Sequence, residues 1–124
     1  MAGLLGLMLG GCGGGEEDSA SGGGFLPPAG YVADAARGRA LFQANCARCH
    51  GAGARGTGQG PPLLHPVYRP GHHADLAFYL AVRNGVQPHH WRFGPMPPVR
   101  GLDPEAVADI VAWVRQQQRM AAIQ

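Results

Sequence analysis

The segment Cys46-Ala47-Arg48-Cys49-His50 places the strongest constraint on how this chain folds. Its two cysteines are three positions apart, which puts their side chains on the same face of a helical turn. Thiols in that arrangement can add to the two vinyl groups of haem, and the histidine that follows can turn its imidazole onto the iron. The motif therefore predicts covalent haem c, attached through Cys46 and Cys49.

The sequence gives less support to two other interpretations of a Cys-x-x-Cys pair. A dithiol redox pair is expected near a βαβ pattern, and none surrounds this motif. A structural zinc site needs a second pair of ligands, but the only other cysteine of the chain, Cys12, lies far upstream.

Three segments around the motif are predicted to be helices. The first begins after Asp34, a good N-cap, and runs to about Ala47. The second runs from Ala74 or Asp75 to Asn84 and stops at Gly85. The third begins with an aspartate cap and a proline in its first turn, and its apolar residues recur at helical spacing: Asp103, Pro104, Val107, Ile110, Val111 and Val114.

Long loops separate the helices, at residues 51–73 and 86–102. The chain of 124 residues holds 21 Gly and 11 Pro, and only 7% of it is aromatic. No stretch alternates as a strand would. Loops of such length in one small domain need something to pack around, and haem would supply it.

Several residues could provide the second axial ligand of the iron. Met96 stands in Phe-Gly-Pro-Met-Pro-Pro, where prolines on both sides exclude helix and hold the backbone extended. Met120 lies near the chain end, beyond the apolar face of the last helix. The other candidates are His65, His72, His73 and the pair His89-His90.

Over about residues 34–120, the chain resembles a small class I cytochrome c. An N-terminal helix ends in the haem motif, and a Gly/Pro loop, a middle helix, a methionine in a proline-containing loop and a C-terminal helix follow in the same order. The resemblance implies an all-α fold, with three main helices and long Gly/Pro loops wrapped around one covalent haem.

The resemblance also implies roles for individual residues. His50 would be the proximal iron ligand and Met96 the distal one. Gly60-Pro61-Pro62-Leu63 matches the family's Gly-Pro-x-Leu, in which the Pro61 carbonyl would accept a hydrogen bond from the ligand histidine. Gly38 and Phe42 match the crossing of the first and last helices, where Trp113 would lie opposite.

Two features depart from the family pattern. The chain has no lysine, so a lysine-rich docking face is absent and arginine would have to replace it. The pairs His72-His73 and His89-His90, the latter followed by Trp91, are additional. A loop with His and Trp could hydrogen-bond haem propionates. The sharper alternative is a second metal site, with copper as a metal that imidazole suits. Each pair would give at most one ligand, because neighbours in an extended loop point in opposite directions.

The start of the chain resembles a bacterial lipoprotein signal. A short apolar stretch ends in Leu9-Gly10-Gly11-Cys12, which matches a lipobox, although no basic residue precedes it. We therefore expect a signal at residues 1–11, a Gly-rich tether at 12–30 that begins at the lipidated Cys12, and a cytochrome c domain at 31–124.

The charge of the chain narrows its function further. From residue 31 onward, ten arginines and five acidic residues give a formal charge of 10 − 5 = +5. That density is too low for a nucleic-acid binder, and 124 residues are too few for a multidomain enzyme. The resemblance implies an electron carrier, not an enzyme, working between redox proteins on the periplasmic side of a bacterial membrane. The alternatives are a haem enzyme or sensor with an open sixth position, and a copper-handling module that uses the His pairs.

Overall fold

The computed structural model describes residues 24–124. Cys12, the lipoprotein-like segment and most of the tether lie outside the described residues. Within them the chain forms four α-helices: α1 (Ala35–Asn45), α2 (Ala47–His50), α3 (Asp75–Asn84) and α4 (Pro104–Met120). A single 3-10 turn lies at Pro66–Tyr68, and the only β pairing in the described part is one isolated antiparallel bridge. No described helix combines the length and the apolar character needed to cross a membrane.

The helices begin where the sequence predicts. The Asp34 carboxylate accepts hydrogen bonds from the N–H groups of Ala36 and Arg37 at 2.8 and 3.1 Å, which caps α1. Asp103 caps α4 in the same way, accepting from Ala106 at 2.7 Å. The predicted end of the first helix is two residues too late. The chain leaves helical geometry at Cys46 and starts the short α2, so the haem motif occupies its own turn.

The core lies where α1 crosses α4. Phe42 and Trp113 are both buried, and their ring centroids are 4.7 Å apart. Gly38 makes the crossing possible, because a Cβ at this position would overlap the Asp109 carbonyl group of α4. The expected packing of Gly38, Phe42 and Trp113 is therefore present.

A buried carboxylate fastens the beginning of α1 to α4. The side chain of Asp109 is fully buried and accepts hydrogen bonds from the Asp34 N–H at 2.7 Å and the Tyr31 hydroxyl at 3.0 Å. The Arg37 guanidinium pairs with its other oxygen. Burial raises the pKa of Asp109, but the hydrogen bonds from Asp34, Arg37 and Tyr31 outweigh burial and leave its pKa below the ordinary value of 3.8.

Asp109 should make stability depend on acid. Because the carboxyl pKa is lower in the folded chain than in the unfolded one, its contribution is complete above the unfolded pKa and is lost as the pH falls through the folded pKa. We expect Asp109→Asn to cost about 2 kcal/mol at pH 7, the scale of hydrogen bonds to a charged group. The difference in Tm between wild type and variant, followed from pH 7 to pH 2, should shrink below about pH 4. A difference that does not change with pH would contradict this.

Two further polar side chains of α4 hold the loop that follows the haem motif. The guanidinium of Arg115 donates to the carbonyls of Tyr68 (2.6 Å) and His73 and to the Asp75 carboxylate (2.8 Å). The buried Gln118 amide donates to the carbonyls of Leu63 and Tyr68, both at 3.0 Å. Residues 63–73 have no regular ladder of their own, so these bonds satisfy buried carbonyls that would otherwise lack partners.

The folded region extends upstream of Tyr31. Phe25, which the sequence places in the tether, is half-buried with its ring 6.3 Å from that of Tyr79, and the Arg83 guanidinium lies 4.8 Å from its centre. The last part of the predicted tether therefore packs against α3.

Candidate functional site

The two cysteines of the motif are presented by one tight turn. The N–H groups of Cys49 and His50 donate to the Cys46 carbonyl at 3.2 and 2.9 Å, so the backbone winds once between the thiols. Both side chains are half-buried, and neither forms a disulfide. Cys46 also packs against the core cluster that contains Phe42 and Trp113.

The electrostatics of this turn disfavour a dithiol redox pair. Burial, together with the neighbouring Cys49, raises the pKa of Cys46 to about 11. A dithiol catalyst needs the opposite shift, because the thiolate is the nucleophile.

The imidazole of His50 is held in one tautomer. Its Nδ1 lies 2.8 Å from the Pro61 carbonyl oxygen, which can only accept, so Nδ1 carries the proton and donates. Nε2 therefore keeps its lone pair. Burial lowers the pKa of His50 more than the bond to Pro61 raises it, so the ring is neutral at pH 7. A neutral imidazole with one oriented lone pair has the form that a metal ligand requires.

The loop after the motif brings Pro61 to this ring. Gly56 donates its N–H to the His50 carbonyl at 2.7 Å, and the Thr57 hydroxyl donates to the Cys49 carbonyl at 2.6 Å. Further along, Leu63 donates to the Ala54 carbonyl at 2.8 Å. These bonds fold the loop back on the turn that precedes it.

Met96 is fixed through its backbone. Its N–H and carbonyl exchange hydrogen bonds with those of Val86, at 3.0 and 2.9 Å, and this is the isolated bridge of the fold. The neighbouring Gly85 has φ +72°, and a Cβ there would collide with the Met96 carbonyl oxygen and lie 3.1 Å from the Pro98 nitrogen. The end of α3 thus holds the segment that carries the half-buried thioether.

The other candidates for the second axial position lie in different settings. Met120 is 75% exposed at the end of α4. The Nδ1 of His65 accepts from the Val67 N–H at 3.2 Å and caps the 3-10 turn. Of Met96, Met120 and His65, only Met96 has a half-buried side chain together with a backbone N–H and carbonyl that are both hydrogen-bonded to one partner residue, Val86.

The residues present suit a covalent haem. The chain offers two free thiols in one turn, an imidazole whose lone pair is set by its partner, and a thioether on an anchored loop.

The four additional histidines form one cluster. A ring nitrogen from each of His72, His73 and His90 lies within 4.8 Å of the other two, and the ring of His89 is 4.1 Å from that of His90, centre to centre. Desolvation lowers the pKa of His90, and the neighbouring imidazoles lower it further.

The expectation that each pair offers at most one ligand is wrong for His72 and His73. That expectation assumed an extended backbone. Both N–H groups instead donate to the Arg69 carbonyl, at 3.0 and 2.9 Å, so the residues lie in a turn and their rings converge. The indole N–H of Trp91, next to the second pair, donates to the Tyr68 hydroxyl at 3.0 Å.

The predictions from sequence did not include the polar residues of α4 that position the loop beside the site. The guanidinium of Arg115 is buried and holds the loop of residues 63–73. A signal was available, because Arg115 and Gln118 continue the apolar stripe of Val111 and Val114 at i+4. A polar residue on a buried stripe needs partners, which marks it as an anchor.

Comparison with known proteins gives a match to a protein family. The family model described as Cytochrome c matches residues 35–118, which is most of the part that the structure describes. No curated protein and no solved structure gives a significant match to this chain.

Proposed function

Since the chain belongs to the cytochrome c family, whose domain carries covalent haem c and serves electron transfer, we propose that it is a single-electron carrier between membrane-associated redox proteins outside the cytoplasm. The observation that carries the proposal is the donor set, in which His50 is oriented by Pro61 and Met96 is anchored to Val86. The bound haem would supply a one-electron couple.

The polypeptide contributes to this function by holding the two proposed iron ligands, His50 and Met96, in fixed positions. The hydrogen bond from His50 to Pro61 fixes the ring and makes it a better donor. The bridge to Val86 would hold Met96 in place through its backbone. Ligands that need not move between oxidation states make electron transfer fast, and a thioether ligand raises the reduction potential.

The surface suggests the chemistry of the partners. Every arginine except Arg115 is exposed, including Arg48 inside the haem motif and Arg55 in the loop after it. Positive charge beside the attachment site would attract acidic partner surfaces and make association sensitive to salt. We propose that arginine performs the docking role that the absent lysines have in the family, and that a lipid on Cys12 tethers the domain to the periplasmic side of the membrane.

The first test is the visible spectrum of the ferric and ferrous holoprotein, beside the same spectra of Met96→Ala. We expect a low-spin ferric wild type with the weak long-wavelength band of a methionine–iron bond, and loss of that band in the variant. The reduction potential should fall by on the order of 100 mV, since axial ligands set haem potentials over about 0.8 V.

Met120→Ala is the matched control, because it removes an exposed methionine thioether. The control should keep both the band and the potential. A high-spin wild type, or a band indifferent to Met96→Ala, would instead favour the haem enzyme or sensor with an open sixth position.

A further inference from the structure

We propose that His72, His73 and His90 bind one divalent transition-metal ion at a site separate from the haem. Their three ring nitrogens lie within 4.8 Å of one another. Imidazole nitrogen is a preferred ligand of Zn²⁺, Ni²⁺ and Cu²⁺, with Cu²⁺ the tightest in the general affinity order.

The distances require only a small contraction. Three nitrogens at about 2.1 Å from a tetrahedral ion are about 3.4 Å apart. Closing from up to 4.8 Å therefore moves each nitrogen by an ångström or so. His72 and His90 are exposed, so their rings can rotate by this amount without disturbing the core.

The third ring is already oriented. The Nδ1 of His73 lies 2.7 Å from the Val67 carbonyl oxygen and must donate to it, so Nε2 is the nitrogen with the lone pair whenever the ring is neutral. This is the arrangement of a metal-ligating histidine, whose second ring nitrogen usually donates to a carbonyl or carboxylate. His73 is thus oriented in the same way as His50, through a hydrogen bond from Nδ1 to a backbone carbonyl. Unlike His50, it does not lie next to a cysteine of the haem motif.

The backbones that carry the ligands are anchored independently. The carbonyl of His73 accepts from Arg115 on α4, which holds the turn of His72 and His73. His90 lies in the loop of residues 87–95, which the bridge between Val86 and Met96 closes. An ion bound to all three histidines would cross-link this loop to the turn that α4 holds.

Water can fill the remaining coordination positions. His89 is a second source, because its exposed ring lies 4.1 Å from that of His90 and 6.0 Å from that of His73, centre to centre. Three protein ligands with water in the fourth position are an established coordination set for Zn²⁺.

The site has a consequence for the haem that rests on the proposed function. The loop that holds His90 ends at Met96, so an ion would brace the segment that carries the proposed iron ligand. The binding of the ion itself does not depend on Met96. An experiment can therefore disprove the ion site without disproving the role of Met96 as an iron ligand, and the reverse.

Binding is tested by calorimetric titration of Zn²⁺, and then Cu²⁺, into the ferric holoprotein. We expect one ion per chain, and at least about a hundredfold weaker binding by His90→Ala, the upper end of the loss seen when an outer-shell partner is removed. The matched control is His65→Asn, which removes a histidine outside the cluster, keeps a side-chain acceptor for the Val67 N–H and should bind as the wild type does. Binding by His90→Ala as tight as wild type, an equal loss in His65→Asn, or no stoichiometric uptake would overturn the site.

Bracing is tested by heating the ferric protein with and without Zn²⁺. At a hundredfold excess over Kd, we expect Tm to rise by about 11 °C or more in the wild type and not in His90→Ala. The temperature at which the methionine–iron band disappears should rise with it. If Zn²⁺ binds stoichiometrically but the zinc-free holoprotein shows no methionine–iron band, the proposed ion site stands and the proposed role of Met96 as an iron ligand is overturned.

Discussion

Gly38→Ala should lower the stability of the holoprotein by about 3 kcal/mol, the upper part of the range for overpacked cores. In an ordinary helix the same change stabilises by about 1 kcal/mol, because alanine is the better helix former. Here the new Cβ would overlap the Asp109 carbonyl oxygen and lie 3.0 Å from the Ile110 nitrogen. Both obstacles are backbone atoms of α4, so relief requires the two helices to move apart.

Thermal unfolding followed by circular dichroism measures the effect of Gly38→Ala. A loss of about 3 kcal/mol corresponds to roughly 12 °C or more in a domain of about 100 residues. Gly58→Ala is the control, since a Cβ at Gly58 meets nothing within 4 Å. A Tm for Gly38→Ala equal to or above that of the wild type would contradict the close crossing of α1 and α4.

The second large effect is expected from Gly85→Ala. This substitution should weaken the bond between Met96 and the iron and leave the helices intact. Gly85 has φ +72° and ψ −177°, a region that is essentially reserved for glycine. Its new Cβ would also press on the Met96 carbonyl oxygen. A strain of about 3 kcal/mol would weaken the closed loop, and with it the methionine–iron bond, by about a hundredfold.

Gly85→Ala should therefore lose the methionine–iron band while it keeps the helical circular dichroism signal of the wild type. Gly94→Ala is the matched control in the same loop, because its Cβ would meet nothing within 4 Å. An undiminished band in Gly85→Ala would show that the bridge between Val86 and Met96 does not govern the ligand.

The sequence predicted most of the helical fold for local reasons. Asp34, Asp103 and Pro104 mark helix starts through hydrogen bonds and backbone angles that involve only neighbouring residues. The family model confirms the cytochrome c fold and the covalent haem. The roles of His50, Pro61 and Met96 stay predictions, for which the structure supplies compatible geometry.

The remainder depends on contacts between distant residues. Asp109 looks like an ordinary surface residue of a helix, and only the folded chain shows that it binds the Asp34 N–H and Tyr31. The convergence of His72 and His73 depends on a turn that the sequence alone did not distinguish from extended chain. Local patterns state which residues are available, and tertiary packing determines which of them meet.

The pairing of Arg37 with Asp109 also bears on how the chain matures. These residues are 72 positions apart, so the first and last helices cannot join until almost the whole domain has been synthesised. Closing so long a loop delays folding, since its entropic cost precedes the contacts that reward it. During that interval Cys46 and Cys49 belong to an open chain. Late closure thus leaves both thiols accessible to solvent in the newly synthesised chain.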